Sequence, residues 1–445
     1  MQKFSPTKIL HITPHLGGGV GRVLLNYILG VKKNNLFDHR IICLDYANEA
    51  AKRIAKSIKL KLSDEMFNRK EELSKMVQGA DIILVHWWNH PLLYDFLVRE
   101  TLPPCRLIIW SHISGFHPPY VFTQKILNYP DIFVFTTPLS LEIKEVRNLS
   151  NKRKKSLRTI WSTGGVEHVR SVKPKKHAGF NIGYIGTVSY AKLHRRFLNI
   201  CNRVNIPDAK FIVCGGPNEK EIKKEAEKLG IAEKFDFLGQ VSDITKYLNV
   251  FDVFGYPLAA YHYGTCDQSL QESMVAGVVP VVLSNRMEKY MIKDKITGIV
   301  AKNEKDYIRS IEKLYKNKTL RHKLSRNAIK YARQTFMLSK MANDWESIFS
   351  EVLILPKTSK RWQIGDKERI KPVDVFIESL GNNYGKIFNA YRSAKSNQER
   401  VKVVGKMKKL AELDIWKSET RGTTHHYHSF FLKDKYLSIW SKIMK

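Results

Sequence analysis

Acidic side chains, paired cysteines and long apolar runs are all scarce in this chain, and each shortage excludes something. The 42 Asp+Glu stand against 75 Lys+Arg, a formal net charge of +33. An excess of that size calls for an anionic partner, whether nucleic acid, acidic lipid or a phosphorylated substrate. The five cysteines, Cys43, Cys105, Cys201, Cys214 and Cys266, are scattered and form no CxxC pair. That argues against a zinc site and a disulfide framework, and fits a reducing compartment. No apolar run approaches the roughly 18 residues that a spanning helix needs. The opening residues, MQKFSPTKILHITPHLGGG, lack the apolar core of a signal peptide. No helix-turn-helix, zinc finger or aromatic RNA-binding motif accompanies the charge, so no nucleic acid is expected as a partner. The expectation is a soluble, cytoplasmic, strongly basic protein.

What is present reads as an α/β chain. Its 445 residues exceed what one core usually supports, and the 43% hydrophobic share allows two. Residues 8–13 (KILHIT) suit a first parallel strand, followed by Gly17, Gly18, Gly19, Gly21 and a helix striped by Val23, Leu24, Tyr27, Ile28 and Val31. The glycines match neither a dinucleotide fingerprint nor a P-loop. They permit two readings, close backbone approach to a ligand or a tight turn without one. Residues 40–44, 81–86, 106–110 and 131–137 read as further strands, with residues 50–62 helical. His86 and His112 end two of these strands, the edge where open α/β sheets bind ligands, although a loop histidine is commonly structural. The basic run Lys152, Arg153, Lys154, Lys155 and Arg158 is either a solvated face or a contact for acidic lipid or a phosphorylated acceptor.

Residues 172–179 are polar and aperiodic. A second strand–turn–helix series follows, with strands at 181–185, 210–214, 234–238 and 253–256, a helix around 197–204 and another at 219–229. It leads into residues 262–284, HYGTCDQSLQESMVAGVVPVVLS, where a glycine turn feeds a helix and then a buried strand. A helix start offers unsatisfied N–H groups, a ready phosphate site, and Glu272 lies one turn inside. Helices at 304–336 and 338–353 close the series. The tail contains His425, His426 and His428, which could be read as a metal site. No carboxylate or cysteine stands at ligand spacing, so the stronger reading is a tail packed on the body through Phe430, Phe431, Tyr436, Leu437 and Trp440.

In this order, the glycine loop at Gly17, the turn 186–192, the Gly215-Gly216-Pro217 turn and the Glu272 stretch resemble bacterial family 4 glycosyltransferases of the GT-B fold. These are retaining, sugar-nucleotide-dependent enzymes of polysaccharide assembly. The resemblance covers roughly residues 8 to 353 and is most specific in LQESMVAGVVPVV and the ITG turn at 296–298. It implies two Rossmann-like doubly wound domains facing across a cleft: residues 1–172 on the acceptor side, a linker at 173–179, and a nucleotide-sugar domain at 180–335. A closing helix at 336–355 and a basic extension at 356–445 complete the chain.

The resemblance also implies roles. Glu272 would hold the donor ribose, and Gly264, Thr265, Ser269 and Leu270 would cradle the diphosphate, with Gly186 and Gly216 in the adjoining turns. Lys192 would pair with the departing diphosphate, Gly18 and Gly19 would approach it, and His112 would contact the donor sugar. There are two departures. The family's first glutamate falls on Gly264, with Asp267 the candidate substitute, and an arginine is replaced by Thr187. The implied catalytic set is His112, Lys192 and Asp267, with no metal and no cofactor beyond the nucleotide-sugar co-substrate. The implied reaction moves a hexosyl group from a UDP- or GDP-sugar to a glycan or lipid-linked saccharide with retention, in cell-surface polysaccharide or lipopolysaccharide biosynthesis. The net charge of +33 and the lack of a spanning run motivate a peripheral location, at the anionic inner face of the cytoplasmic membrane. The alternative is a catalytically inactive GT-B-like binding or scaffold protein, motivated by Gly264 and Thr187.

Overall fold

The structure, a computed structural model, describes residues 6–32, 36–363 and 369–445. It divides into two compact units, residues 1–160 with 342–445, and residues 161–341.

The first unit carries the strands β1 (Thr7–Thr13), β2 (Phe37–Cys43), β3 (Lys61–Ser63), β4 (Ile82–Trp87), β5 (Thr101–Cys105), β6 (Leu107–Ser111), β7 (Phe116–His117), β8 (Tyr120–Val121), β9 (Ile132–Phe135) and β10 (Leu157–Thr159). Seven of these form one sheet in the order β10-β9-β6-β4-β1-β2-β3, every pair parallel. Strand β4, IILVHW, is buried along its whole length, as helices on both faces of a parallel sheet require. The strand order reverses between β1 and β4, and ligands of open α/β sheets bind beyond the carboxyl ends at such a point.

The second unit carries β11 (Phe180–Ile185), β12 (Ala209–Cys214), β13 (Phe235–Gly239), β14 (Val253–Tyr256), β15 (Val279–Leu283) and β16 (Ile299–Ala301). These form a six-stranded parallel sheet ordered β13-β12-β11-β14-β15-β16, with its reversal between β11 and β14. The helix Gln268–Val275 is buried from Ser269 to Val275, against β15 and the helix Lys318–Thr335. Gly277, at φ +82°, ends it. Its N–H bonds Met274 O at 3.1 Å and that of Val278 bonds Ser273 O at 2.9 Å, a Schellman termination. This close return drops the chain directly into β15.

The fold is therefore the expected pair of doubly wound α/β units, and several boundaries differ. The unit boundary follows Ile160, so residues 161–172 and the expected linker 173–179 both lie within the second unit. Trp161 packs edge-on to Phe336, with ring centroids 5.6 Å apart. The helix Leu338–Leu353 continues from the second unit into the first, and the tail belongs to the first. The glycines after β1 are not a loop: Gly17 is the N-cap residue and Gly18 opens the helix Gly18–Val31. The expected helix at 304–336 is two, because Asn317 breaks it and caps the second by accepting from Leu320 N–H at 2.8 Å. The expected helix at 50–62 stops at Ser57; Lys59 turns at φ +51° and β3 follows.

In the tail, β17 (Thr358–Arg361) pairs antiparallel with β5, and helices including Pro372–Ser379, Gly381–Ser393 and Thr424–Phe430 follow. Of the expected anchors, Leu437 and Trp440 are fully buried, whereas Phe430, Phe431 and Tyr436 are half-buried. Phe376, Phe388, Trp416 and Tyr427 complete that core. His426 is structural: its Nδ1 accepts from Gly422 N–H at 3.0 Å, and its ring meets His90 edge-on.

Candidate active site

In the second unit, the segments that leave β11 and β14 converge at the reversal of the strand order. Glycine makes this possible at the first of them. A Cβ on Gly215 (φ +136°) would stand 1.8 Å from Gly186 O, so the turns after β11 and β12 close on each other only through glycine. Gly216 O accepts from Val188 N–H at 2.7 Å in the same clasp. Lys192 follows, and its carbonyl accepts from Ala259 N–H at 2.8 Å, tying the post-β11 segment to the post-β14 segment.

Across that tie, Lys192 Nζ lies 3.0 Å from Asp267 Oδ1, with both side chains 9% exposed. Burial penalises the Lys192 ammonium, but Asp267, with Tyr184 and Tyr263, outweighs the penalty and holds its pKa above the ordinary lysine value. Burial likewise opposes the Asp267 carboxylate, and Lys192 and His262 outweigh it, leaving the acid below its ordinary range. The pair is ionised on both sides. Lys192 Nζ also stands 5.6 Å from the centre of the Tyr256 ring, which stacks on Tyr184. Asp267 is the N-cap residue of the helix Gln268–Val275, yet its side chain makes no cap bond. It turns to Lys192 instead, and Oδ2 is buried without a hydrogen-bond partner.

Gly264 explains how Asp267 fits. A Cβ at Gly264 would stand 2.9 Å from both Asp267 carboxylate oxygens and 2.9 Å from His262 Nδ1. The Asp267 carboxylate thus occupies the space into which a side chain at 264 would project. Gly264 N–H donates to His262 Nδ1 at 3.0 Å, and His262 Nε2 lies 2.9 Å from Glu288 Oε1. Burial disfavours the charged ring of His262, and Glu288 outweighs it, raising the pKa. His262, Asp267 and Glu288 offer ligand atoms within 4.8 Å of one another, a spacing that could hold a metal ion. The Gly264 N–H on one ring nitrogen, Glu288 on the other and the Lys192 charge on Asp267 would each have to give way. The cluster suits hydroxyl donors better than a cation.

The remaining expected donor residues are distributed around this core. Ser269 Oγ donates to Tyr256 Oη at 3.3 Å, Thr265 is half-buried, and Leu270 N–H is already bonded to Asp267 O at 3.1 Å. Thr187 accepts from two tyrosines: Tyr184 Oη donates to its carbonyl at 2.8 Å and Tyr263 Oη to its hydroxyl at 3.2 Å. Glu272 is 3% exposed and faces the segment that follows Ile160. Its Oε1 accepts from Gln268 Nε2 at 3.2 Å and lies 3.4 Å from His168 Nε2. Gln268 also joins Gly164 N–H and Gly165 O, and Gln271 donates to Ser162 O at 2.8 Å. Sequence reasoning missed His262, Glu288, Tyr184, Tyr256, Tyr263 and His168. His262 and Tyr263 lay inside the stretch 262–284 already singled out; the others carry no motif.

In the first unit, Gly18 (φ +59°) and Gly19 open the helix Gly18–Val31, and a Cβ on either would meet nothing within 4 Å. No side chain caps that N-terminus. His112 follows β6, half-buried, with Nε2 3.1 Å from His86 Nδ1 and its ring 4.6 Å from that of Trp110. Burial and His86 hold its pKa well below the ordinary histidine value.

Solved structures that superpose on this chain include glycosyltransferases. The glycosyltransferase from Rickettsia africae ESF-5 superposes at TM-score 0.64 with 12% identity, covering 79% of this chain and 100% of its own. Anabaena HepE in complex with UDP-glucose gives 0.60 and 14%, covering 77% and 99%. The lipopolysaccharide outer core galactosyltransferase WaaB gives 0.58 and 14%, covering 78% and 100%. At such identities the likeness establishes the fold, which is GT-B. No curated protein sequence matches the chain. Residues 166–331 match the family model for glycosyl transferases group 1, and this match together with the GT-B fold supports a transferase.

Proposed function

We propose that the protein transfers a hexosyl group from a UDP- or GDP-sugar to a glycan or lipid-linked saccharide, with retention of configuration, as a family 4 enzyme of cell-surface polysaccharide or lipopolysaccharide assembly. The observation that carries this reading is the buried Lys192–Asp267 pair at the strand-order reversal inside the group 1 domain, with Asp267 Oδ2 left unmatched. A buried acceptor of that kind calls for a donor, and a sugar hydroxyl supplies one. Lys192 and the uncapped start of the helix Gln268–Val275 supply positive potential for a diphosphate. Glu272 accepts from the ribose, and His112 contacts the donor sugar.

In the reaction, the bond from the anomeric carbon to the diphosphate oxygen breaks and the nucleoside diphosphate keeps the electron pair. The acceptor hydroxyl oxygen bonds to that carbon from the same face, and its proton passes to the leaving phosphate oxygen. Lys192 lowers the cost of the departing charge, a role that needs no metal. HepE was solved with UDP-glucose and WaaB is a galactosyltransferase; the first name favours a UDP-sugar and both favour a hexose.

A membrane surface is the proposed setting. Among the described residues no helix is long and apolar enough to cross a membrane. Leu432, 70% exposed, stands beside Lys433, and Val401, 64% exposed, stands between Arg400 and Lys402. Apolar residues flanked by cations suit the interface of an anionic bilayer.

The test is nucleotide release across a panel of UDP- and GDP-sugars with a lipid-linked acceptor. Lys192→Ala is expected to lower kcat by roughly 100- to 1,000-fold, and Glu272→Ala to weaken donor binding by about 10- to 100-fold through loss of charged hydrogen bonds. Wild-type kinetics in both variants would overturn the site. No release from any donor by the wild-type protein would favour the inactive binding-protein reading.

A further inference from the structure

On one face of the first unit's sheet, four histidines form a continuous chain. His39 Nδ1 lies 2.8 Å from His11 Nε2, His11 Nδ1 lies 3.0 Å from His86 Nε2, and His86 Nδ1 lies 3.1 Å from His112 Nε2. Strand register produces this line. His39 pairs with Ile9, two residues before His11; His11 pairs with Leu84, two before His86; and His86 pairs with Trp110, two before His112. A step of two residues per strand keeps every ring on the same face and carries the chain diagonally from β2 to the carboxyl end of β6. Successive ring centroids are 5.1, 5.3 and 5.3 Å apart.

The rings are neutral. Burial lowers the pKa of His39 to about 4 and that of His86 to about 3, and holds His11 well below the ordinary value. A neutral imidazole carries one N–H and one lone pair, so the hydrogens of a chain must all point the same way. Each link joins Nδ1 of one ring to Nε2 of the next, which leaves two arrangements: every ring Nδ1–H, or every ring Nε2–H. The inner end decides between them. His39 Nε2 is buried and has no hydrogen-bond partner. A hydrogen there would be an orphaned buried donor, the rarest kind of unmatched group, whereas the other arrangement leaves only a lone pair unmatched.

We propose that His39, His11 and His86 are positioning residues that fix His112 as its Nδ1–H tautomer, its Nε2 accepting from His86, so that His112 meets a sugar oxygen as a neutral hydrogen-bond donor and not as a base. The sugar contact rests on the role given to His112 above; the tautomer does not. A histidine whose second nitrogen is held by a neighbour loses roughly 10- to 100-fold in function when that neighbour is removed, judged from metal-bound histidines.

Long-range proton–nitrogen NMR spectra of the full chain, labelled with nitrogen-15 histidine, test this directly. The wild-type protein is expected to show all four rings as Nδ1–H tautomers at neutral pH. Nε2–H at His112, or a charged ring in the chain, overturns the proposal. In His86→Phe the fixed tautomer of His112 is expected to be lost and kcat to fall about tenfold with little change in KM. In His86→Gln, whose amide can accept from His11 and donate to His112, both are expected to be retained. An unchanged His112 tautomer in a folded His86→Phe variant also overturns the proposal, and if that variant fails to fold the wild-type spectrum still decides. Full turnover in His112→Ala beside the expected wild-type spectrum would remove the sugar contact while leaving the chain's polarity standing.

Discussion

In the first unit His11, His39 and His86 are buried against one another and stay neutral, whereas in the second Lys192 and Asp267, buried almost as deeply, both stay charged. The difference lies in what each group has for a partner. An imidazole can both donate and accept, so a row of them satisfies itself without any charge. An ammonium and a carboxylate cannot shed their charges without losing each other, and at 3.0 Å their attraction outweighs the desolvation that burial imposes. One unit thus carries a polar line that costs no ionisation, and the other an ion pair ready to exchange a partner for a ligand.

Acid should break this comparison most severely. His86, His39 and His426 have pKa values depressed to about 3, about 4 and about 3. Each contributes stability that is present above the unfolded value near 6.5 and is lost as pH falls from there towards the folded value. Each adds a slope of about 1.4 kcal/mol per pH unit in that window. The Lys192–Asp267 pair keeps both charges from pH 7 to pH 5, because the acid lies below its ordinary value and the lysine above. Hydrogen exchange at pH 7 and pH 5, corrected for intrinsic rates, should therefore show β1, β2 and β4 losing protection while β11 and β14 hold theirs. Equal loss in both units would erase the distinction.

Asp267→Asn comes next in size. It leaves the Lys192 ammonium buried without its counter-charge, at a cost of about 3–5 kcal/mol, read as a lowered denaturant midpoint. A change within about 0.5 kcal/mol would mean the pair is not ionised in the folded protein.

The smallest effect sharpens the Gly264 reading. Gly264→Ala places a Cβ 2.9 Å from both Asp267 oxygens and should cost about 1–3 kcal/mol. If the two positions compete for one space, Gly264→Glu alone should lose donor binding, and adding Asp267→Gly should recover part of it. Recovery no better than in the single variant would show that Asp267 does not stand in for a carboxylate from 264.

Much of this was readable along the chain because it rests on local rules. Residues 253–256 and 338–353 were placed to the residue by apolar runs and helical spacing. Lys192, Asp267 and Gly264 came from motif order, and the structure brings these three together. The glycines after β1 misled, because a run of them reads as a loop while here they open a helix. Glu288 and His168 lie far along the chain from the residues they meet, on elements without a motif, and nothing local marks them.

By itself, then, the sequence determined the alternation of strand and helix and the glycine turns at the carboxyl edge, which depend on neighbours a few residues apart, and the excess of positive charge, which is composition alone. The tertiary structure alone decided the rest. Parallel register aligns histidines from β2, β1, β4 and the end of β6 into one chain, and the strand-order reversal brings Lys192 to Asp267. Register and reversal are relations between strands separated by whole helices, and a parallel sheet forms every contact of this kind at long range.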